Sequence, residues 1–221
     1  MLMFGSPATW PGSDLVGLSD GFDAATVVTG CREGVFPMPL KGGMTGWFSP
    51  VQRGILPLDG LRVTRSLRKS LKRYRVSHDR AFEQVLEGCA DPRRDSGWID
   101  DDIRIVYGDL HRAGVVHSVE VWDGTDRLVG GLYGVGIGGL FAGESMFHDP
   151  DHGRDASKVA LVHLVRLLAA DGVPRLLDVQ WQTEHLASLG VVEIDRKDYL
   201  ARLTEAVRRP APDWAGGLPG Q

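Results

Sequence analysis

The stretch HSVEVWDGTDRLVGGLYGVG, residues 117–136, decides the fold because its apolar residues recur with the period of two that a β-strand requires. We predict a strand on each side of the turn-forming segment Gly124-Thr125-Asp126, one over 117–123 and the other over 127–136. Two strands joined by so short a turn should pair as a hairpin. Residues 140–147 keep the same character and are predicted to continue the sheet as a meander.

Segments with the helical spacing of apolar residues, three and four positions apart, lie on both sides of this hairpin. We predict helices over 23–31, 64–74 and 79–89, from about residue 100, over 157–170 and over 196–208. The 157–170 segment is apolar on most sides, which indicates a buried helix. One more strand is predicted over 176–181. This order of elements indicates an α+β fold.

The first part of the chain differs in composition from the rest because it is rich in Gly and Pro and has little periodicity. We predict a small N-terminal lobe over 1–61 with extended segments over 34–39 and 46–50. Residues 62–208 are predicted to form a larger catalytic domain that contains the meander. Residues 209–221, again rich in Gly and Pro, are predicted to be a disordered tail.

The overall composition is that of an ordinary globular protein, with 43% hydrophobic and 24% charged residues. No apolar run approaches the roughly 20 residues that a membrane helix needs, and the start lacks the basic region of a signal peptide. The two cysteines, Cys31 and Cys89, are far apart and fit no metal spacing, which favours free thiols in the cytoplasm. We expect a monomer with no membrane partner, no cofactor and no metal.

The net charge of −4 argues against a protein that coats nucleic acid indiscriminately, but one segment is strongly basic. It contains seven cations and no acid: Arg62, Arg65, Arg68, Lys69, Lys72, Arg73 and Arg75. On the predicted helix five of them share one face, and Leu67, Leu71 and Tyr74 form a separate apolar stripe. A solvated face is the ordinary explanation. Because no acid offsets the repulsion, we favour an anionic ligand.

The segment FAGESMF, residues 141–147, sets one carboxylate and one hydroxyl among aromatic and small residues. Such a segment fits either an edge strand or the floor of a pocket, with Phe141 and Phe147 as its apolar wall. Glu144 is the polar contact expected there, and Ser145 is a further candidate for substrate binding.

Asp178 and Gln180 are two polar residues on the otherwise apolar strand 176–181. Because side chains alternate along a strand, both should point to one side, away from Leu177 and Val179. Polar groups in such a place need partners. Either a domain interface or a bound ligand would supply them.

Three motifs of known chemistry are rejected because of their context. Residues 134–139, GVGIGG, have the glycine spacing of a dinucleotide site, but a strand follows where a helix is required. Ser145 lacks the second glycine and the following helix of a nucleophile elbow. The loop 148–152 has two histidines and two aspartates, but a proline interrupts it, which disfavours fixed metal geometry.

With these motifs in place, the chain resembles the leucyl/phenylalanyl-tRNA–protein transferases, and the resemblance covers about residues 20–203. The matching motifs are GVFP (34–37), WFSP (47–50), VTRSL (63–67), GWI (97–99), HSVEVW (117–122), LVGGLYGV (128–135), FAGESMF (141–147), ASK (156–158), DVQ (178–180) and HLASLG (185–190). Each motif alone is weak. Together, in the family's order, they are specific.

The resemblance implies transfer of Leu or Phe from Leu-tRNA or Phe-tRNA to proteins with N-terminal Lys or Arg. The product is marked for degradation through the N-end rule. The implied fold is a small N-terminal lobe on a C-terminal domain similar to the GCN5-related acyltransferases. An aminoacyl ester is already activated, so attack by an amine chiefly needs positioning and the removal of one proton.

The resemblance also assigns roles to residues of the candidate site. Asp178 is expected to orient Gln180, and Gln180 to contact the reacting amine or ester. The proton acceptor stays open between Asp178 and the tRNA ribose hydroxyl. Glu144 is expected to hold the cationic acceptor N-terminus, while Phe141 and Trp98 are expected to wall the pocket for Leu or Phe.

Binding of the tRNA is assigned by the resemblance to four cations of the basic helix, Arg65, Lys69, Lys72 and Arg73. Two positions depart from the family pattern near the terminal adenosine of the tRNA. Met38 stands where many members have Trp, and Phe48 replaces the second residue of a Trp-Trp pair. Both changes concern donor binding and leave the expected reaction untouched.

Two other functions compete with aminoacyl transfer. One is an acyltransferase that uses acyl-CoA on the same fold, but its pyrophosphate loop is not matched by RDASKV, residues 154–159. The other is a non-catalytic RNA-binding module, for which Asp178, Gln180 and Glu144 would be unneeded.

Overall fold

The structure, a computed structural model, describes residues 3–93 and 98–216. Its strands are β1 (Leu15–Ser19), β2 (Phe36–Pro39), β3 (Thr45–Phe48), β4 (Gln52–Ile55), β5 (Arg75–His78), β6 (Val116–Trp122), β7 (Leu128–Ile137), β8 (Leu140–His148), β9 (Leu176–Gln180) and β10 (Val192–Asp195). Its helices are α1 (Ala24–Glu33), α2 (Arg65–Leu71), α3 (Phe82–Cys89), α4 (Asp101–Arg112), α5 (Ala156–Ala169), α6 (Glu184–Leu189) and α7 (Arg196–Ala206). No helix of the described ranges is long and apolar enough to cross a membrane.

Two sheets organise the part of the chain that the structure describes. The large sheet has seven strands in the order β10-β4-β9-β8-β7-β6-β5, and the small sheet has three in the order β1-β3-β2. Neighbouring strands are antiparallel except for β8 and β9, which run parallel. The chain between these two crosses over through α5. The mixture of antiparallel strands and helices confirms the mixed α and β content predicted from the sequence.

The hairpin that decides the fold is present as β6 and β7, and β8 continues it as predicted. Its turn is stabilised by Asp123, whose side chain accepts bonds from the backbone N–H groups of Thr125 and Arg127. The helix predictions are confirmed within a few residues, and the 79–89 helix begins only at Phe82. Asp100 caps α4, because its side chain accepts the backbone N–H of Ile103.

Two apolar clusters cover the two faces of the large sheet. One contains α5 with Val119, Leu132, Phe141 and Leu177, and we call this side the α5 face. The opposite cluster contains α1, α3, α4 and α7 and receives Tyr133 from the sheet. As predicted, α5 is largely buried, because it packs along the middle of the sheet.

The first 61 residues do not all belong to the small sheet. Strand β4 pairs with β9 and β10, so it is an inner strand of the large sheet. Phe36 and Phe48 of the small sheet pack on Trp181, with ring centroids 4.9 and 5.6 Å away. The sequence did not predict β1, β4, β5, β10 or α6, because short strands and helices carry too little periodicity.

Trp214 of the predicted tail packs on the α5 face, and residues 217–221 are outside the described ranges. Trp214 stacks on His117 with centroids 3.9 Å apart and contacts Phe141 at 5.6 Å. Gly136 lies beneath this stack: a Cβ there would come within 3.0 Å of His117 and 3.7 Å of Trp214. The composition of the tail did not predict this packing.

We predict that Gly134→Ala destabilises the fold by about 2 kcal/mol, because overpacking a tight site costs roughly 1–3 kcal/mol. A Cβ at Gly134 would lie 2.3 Å from the carbonyl oxygen of Ala142 and 2.5 Å from the Phe141 ring. The measurement is urea unfolding.

Gly124→Ala is the matched control, since a Cβ at Gly124 meets no atom within 4 Å. We expect its effect to stay within about 0.5 kcal/mol. Equal effects of the two substitutions would contradict the close approach at Gly134.

Candidate active site

The parallel strands β8 and β9 part from each other, and a cavity lies where they separate. Their pairing runs from Leu140 opposite Leu176 only as far as Ala142 opposite Asp178. Beyond that point the cavity, of about 830 Å³, is lined by Glu144 and Gln180. Its apolar wall consists of Leu132, Phe141, Leu161, Leu164, Leu177 and Val179. Of the two alternatives for the segment 141–147, the structure favours the pocket, because Phe141 and residues 143–146 line the cavity.

A β-bulge in β8 places Glu144. Tyr133 of β7 pairs with Ser145 and the next residue, Gly134, pairs with Gly143, so Glu144 is the extra residue. A bulge locally breaks the alternation of side chains and redirects one of them. It therefore brings Glu144 to the cavity, which Gly143 and Ser145 also line.

The same bulge separates the two phenylalanines that the sequence analysis treated as one wall. Phe141 is fully buried on the α5 face and lines the cavity. Phe147 packs in the opposite cluster, where its ring would touch a Cβ at Gly88 of α3 at 2.5 Å. The prediction that Phe147 walls the pocket is wrong because the inserted residue changes which face the following side chains occupy.

The backbone of Gln180 lies in the left-handed region, with φ of 58°, which is uncommon for a residue other than glycine. Gln180 lines the cavity together with Leu177 and Val179, whereas Asp178 does not. The prediction that Asp178 and Gln180 share one side is therefore wrong. Regular alternation ends at Gln180, next to a register shift between β4 and β9.

Asp178 is fully buried, and its two carboxylate oxygens accept four hydrogen bonds. Arg53 donates to both oxygens, at 2.8 and 2.6 Å, and the Tyr199 hydroxyl donates at 2.8 Å. The backbone N–H of Gln180 donates the fourth bond at 2.9 Å. Two carboxylate oxygens offer about four lone-pair positions, so this carboxylate is saturated. Asp178 thus holds the backbone of Gln180 in its strained conformation.

Arg53 offsets the free-energy cost of burying the charged carboxylate of Asp178. Burial is the largest single influence and lowers the pKa of its guanidinium. The charges of Asp178 and Tyr199 and the hydrogen bond to Asp178 together outweigh it, so the pKa is raised. The guanidinium also donates to the carbonyl oxygen of Gly34 at the end of α1 and lies 4.3 Å from the centre of the Tyr199 ring. Breaking a buried pair of this kind typically costs about 3–5 kcal/mol.

The carboxyl group of Glu144 is poorly solvated. Its Oε1 atom is buried and has no hydrogen-bond partner among the described residues. The Tyr107 hydroxyl of α4 is close enough to lower the pKa of Glu144, but the contact lacks hydrogen-bond geometry. Burial, and then the charge of Asp178, raise the pKa of Glu144 to about 8. In the empty site at neutral pH this carboxyl is therefore mostly protonated.

A polar rim surrounds the outer end of the cavity. It includes Arg154, Asp155, Lys158, His148 and His185. Asp155 accepts hydrogen bonds from Lys158 at 3.1 Å and from Ser70 of α2 at 3.1 Å. The rim is thus bonded directly to the helix that carries the basic face.

All four cations predicted to bind tRNA, Arg65, Lys69, Lys72 and Arg73, are exposed on or next to α2. Leu67 on the other side of the helix is buried in the core of the α5 face, as its spacing predicts. The helix is shorter than predicted and ends at Leu71, so Arg73 lies just beyond it. The basic face is present and borders the rim of the cavity.

Two other predicted substrate contacts lie away from the cavity. Trp98 packs against the cluster of α3 and α4, and the neighbouring Gly97 lies outside the described ranges. Met38 belongs to β2 of the small sheet, opposite Gly46. Neither side chain lines the cavity.

The structure also shows functional partners that the sequence analysis missed. Arg53 and Tyr199 are 125 and 21 positions from Asp178 in the sequence, and no local pattern connects them. The sequence predicts a buried helix over 157–170 but not that Leu161 and Leu164 on it line the cavity. Nor does it predict that Arg154 and Lys158 line the cavity.

The loop between β8 and α5 contains a group of possible metal ligands, Asp149, Asp151 and His152. Asp149 uses one carboxylate oxygen to accept the backbone N–H groups of Asp151 and His152. These bonds form a local turn.

The sequence has clear relatives. A family profile described as leucyl/phenylalanyl-tRNA protein transferase matches residues 55–204. The leucyl/phenylalanyl-tRNA–protein transferase of Rhodospirillum rubrum is 49% identical over 188 residues, covering 82% of this chain and 86% of that protein. The one from Pseudoalteromonas atlantica is 46% identical over 183 residues, covering 81% of this chain and 76% of that protein.

Similarity to solved structures is weaker. L-PGS from Bacillus licheniformis aligns over 70% of this chain and 51% of that chain, with a TM-score of 0.38 and 10% sequence identity. A similarity of this size supports no conclusion about activity.

We predict that Glu144→Gln makes the stability of the protein less sensitive to alkaline pH. A carboxyl whose pKa is about 8 in the folded state and about 4.3 unfolded keeps its proton longer when folded, so its contribution to stability is lost as pH rises between these values. Relative to wild type, the variant should gain about 4 kcal/mol between pH 5 and pH 8.5. Urea unfolding at both pH values measures this change. A difference that is the same at both would contradict the raised pKa.

Proposed function

The chain belongs to the leucyl/phenylalanyl-tRNA–protein transferase family, and we propose that it transfers leucine or phenylalanine to proteins with N-terminal Lys or Arg. Family membership makes it an aminoacyltransferase that moves an amino acid from tRNA to a protein N-terminus. The proposal adds the identity of the donor and of the acceptor, and the role of the product as a degradation signal. It rests on the cavity in which the unpartnered amide of Gln180 and the buried carboxyl of Glu144 meet an apolar wall.

The apolar wall supports leucine and phenylalanine as the transferred residues. Leu132, Phe141, Leu161, Leu164 and Leu177 provide hydrocarbon surface without a charged group among them. Burial of an apolar side chain there is favourable, whereas a polar side chain would lose its hydration. Since one methylene in such a pocket is worth about 1–3 kcal/mol, preference among apolar residues should be graded.

Gln180 is the group that we assign to the reacting ester. Its Nε2 atom is buried and has no hydrogen-bond partner in the described part of the chain, so it is free to donate to a ligand. A donor directed at the ester carbonyl stabilises the negative charge that develops on its oxygen during attack. Asp178 acts as a positioning residue through the Gln180 backbone, since its saturated carboxylate leaves no lone pair for a proton.

Glu144 is the group that we assign to the acceptor amine. The α-amino group has a pKa of about 8, so it needs only a modest base to become a nucleophile. The pKa of Glu144, raised to about 8 by burial, matches that value. A bound cationic N-terminus would favour the carboxylate form of Glu144, because a nearby opposite charge lowers the pKa of a carboxyl. Glu144 would then hold the ammonium group and accept one of the two protons that it loses. The new amide bond forms as the ester bond to the tRNA ribose breaks, and the departing ribose oxygen takes the second proton.

The sheets, the free thiols and the site itself support our proposals for the fold family, the cellular location and the oligomeric state. The meander β6–β8, the buried helix α5 and the strand β9 support a likeness to the GCN5-related acyltransferases, and the two sheets support a division into two lobes. The two buried free thiols and the tRNA substrate support action in the cytoplasm. We propose a monomer, because one chain supplies every group assigned above.

The competing functions are not favoured. The family relationship and the cavity disfavour an RNA-binding module without activity. An acyl-CoA-dependent enzyme is disfavoured because residues 154–159 do not match the pyrophosphate loop.

We predict that the purified protein adds one Phe residue to a peptide that begins with Arg when it is given Phe-tRNA. Mass spectrometry of the peptide measures the addition. A peptide that begins with acetylated Arg is the negative control, since it has no free amine. Absence of the mass gain would overturn the proposed function, and a gain with acyl-CoA in place of Phe-tRNA would favour the competing acyltransferase.

The same assay tests Gln180 against a matched residue. Gln180→Ala should slow transfer about 100-fold or more, the usual size for loss of a donor to a developing oxyanion. Gln182 is the control because its amide donates to the carbonyl oxygen of Val191 and it does not line the cavity. We expect Gln182→Ala to transfer at nearly the wild-type rate.

We predict that the pair Arg65→Glu and Lys69→Glu weakens tRNA binding at least tenfold, because phosphate contacts contribute strongly and fall with salt. Transfer from a minimal aminoacyl-adenosine donor should fall far less. Filter binding and the transfer assay measure the two effects.

Lys197→Glu with Arg202→Glu changes the same charges on the exposed surface of α7 and serves as the control. Equal losses from both pairs would show a general charge effect. An equal loss with the minimal donor would show that the α2 pair is needed for the fold.

A further inference from the structure

The rim of the cavity contains a cation, Arg154, whose guanidinium forms no ion pair with any residue that the structure describes. Arg154 lines the cavity and is exposed. Its guanidinium forms no hydrogen bond, salt bridge or ring contact with another described residue. Only its backbone is held, by the Tyr74 hydroxyl, which donates to its carbonyl oxygen at 2.9 Å.

Lys158 is a second cation on the same rim, one turn into α5. It bonds to Asp155 at 3.1 Å, and its side chain is 33% exposed. Asp155 adopts a left-handed backbone with φ of 61° and also accepts from Ser70 of α2. These bonds place Arg154 and Lys158 between the basic face of α2 and the cavity.

The acids of the cavity leave the Arg154 guanidinium without an ion-pair partner among the described residues. Asp155 is already bonded to Lys158 and Ser70, and Glu144 is mostly protonated at neutral pH because burial raises its pKa to about 8. Asp151 remains as an exposed acid on the rim. An anion at this rim would therefore meet the Arg154 guanidinium, which has no ion-pair partner among the described residues, beside Lys158.

The chemistry of the donor supplies such an anion. The aminoacyl ester is carried on the ribose of the terminal adenosine, and a single phosphodiester joins that adenosine to the preceding nucleotide. If the ester lies at Gln180, this phosphate is one nucleoside away. Gln180 has a buried amide without a partner, which independently indicates that the same cavity receives a polar ligand.

We propose that Arg154 and Lys158 bind the phosphodiester that precedes the terminal adenosine of the aminoacyl-tRNA donor. The inference rests on the proposed function and adds a binding subsite to it. The pair continues the cationic surface of α2 and guides the single-stranded end of the donor into the cavity. Arginine suits this task because its planar donors match phosphate oxygens.

The test compares two synthetic donors in the transfer assay. Phenylalanyl-adenosine has no phosphate, and the dinucleotide donor CpA-Phe has the single phosphodiester but is too short to reach the basic face. The measured quantity is the ratio of kcat/KM for CpA-Phe to kcat/KM for phenylalanyl-adenosine. Wild type should give a ratio above one.

Arg154→Gln should lower that ratio about tenfold, and Lys158→Gln should lower it as well, since each variant would lose a charge-assisted bond to the phosphate. Arg166→Gln is the matched control, because Arg166 is an exposed arginine on the same helix that does not line the cavity. Its ratio should equal that of wild type.

The salt dependence gives a second measurement that a structural role would not change. Each phosphate contact to a single strand contributes a slope of about −0.7 in a plot of log affinity against log salt. The slope for CpA-Phe should become shallower in Arg154→Gln. An unchanged ratio and slope would overturn the inference while leaving the proposed function in place. Failure of wild type with both donors and with Phe-tRNA would overturn the proposed function itself.

Discussion

The buried ion pair between Arg53 and Asp178 is the interaction on which the candidate site depends. A guanidinium and a carboxylate removed from water are stable only together, and one without the other costs several kcal/mol. The pair therefore requires β4, β9 and α7 to meet around it. Asp178 in turn fixes the backbone of Gln180, so the position of one amide in the cavity depends on a residue of the chain's first quarter.

Two irregularities of the large sheet turn this scaffold into a site. The bulge in β8 places Glu144 at the cavity, and the left-handed backbone at the end of β9 places Gln180 there. Both occur just after the pairing between the parallel strands ends, which is where the cavity opens. Regular strands would have kept their hydrogen bonds and closed the gap. The two strands lose regular pairing where the site forms. The hydrogen bonds from Arg53 and Tyr199 to Asp178 stabilise the sheet at this point.

Exposed positive charges extend from α2 to the rim of the cavity. The exposed cations of α2 lead to Arg154 and Lys158 on the rim, and from there the surface becomes apolar towards Leu161 and Leu164. A polyanion with an apolar group at its end fits this gradient. The net charge of −4 is compatible with this gradient, because net charge does not determine where individual cations lie.

The sequence by itself determined the hairpin, the basic face of α2, the buried helix α5 and the family, because each depends on periodicity or on short motifs read in order. It also identified Glu144 and Gln180 as polar residues out of place in apolar strands. It wrongly placed Phe147 in the pocket wall and wrongly placed Asp178 and Gln180 on one side of their strand. It also did not reveal Arg53 as the partner of Asp178. Only the tertiary structure decided these points, since one inserted residue reverses the face of a strand and a pairing across 125 positions leaves no local pattern.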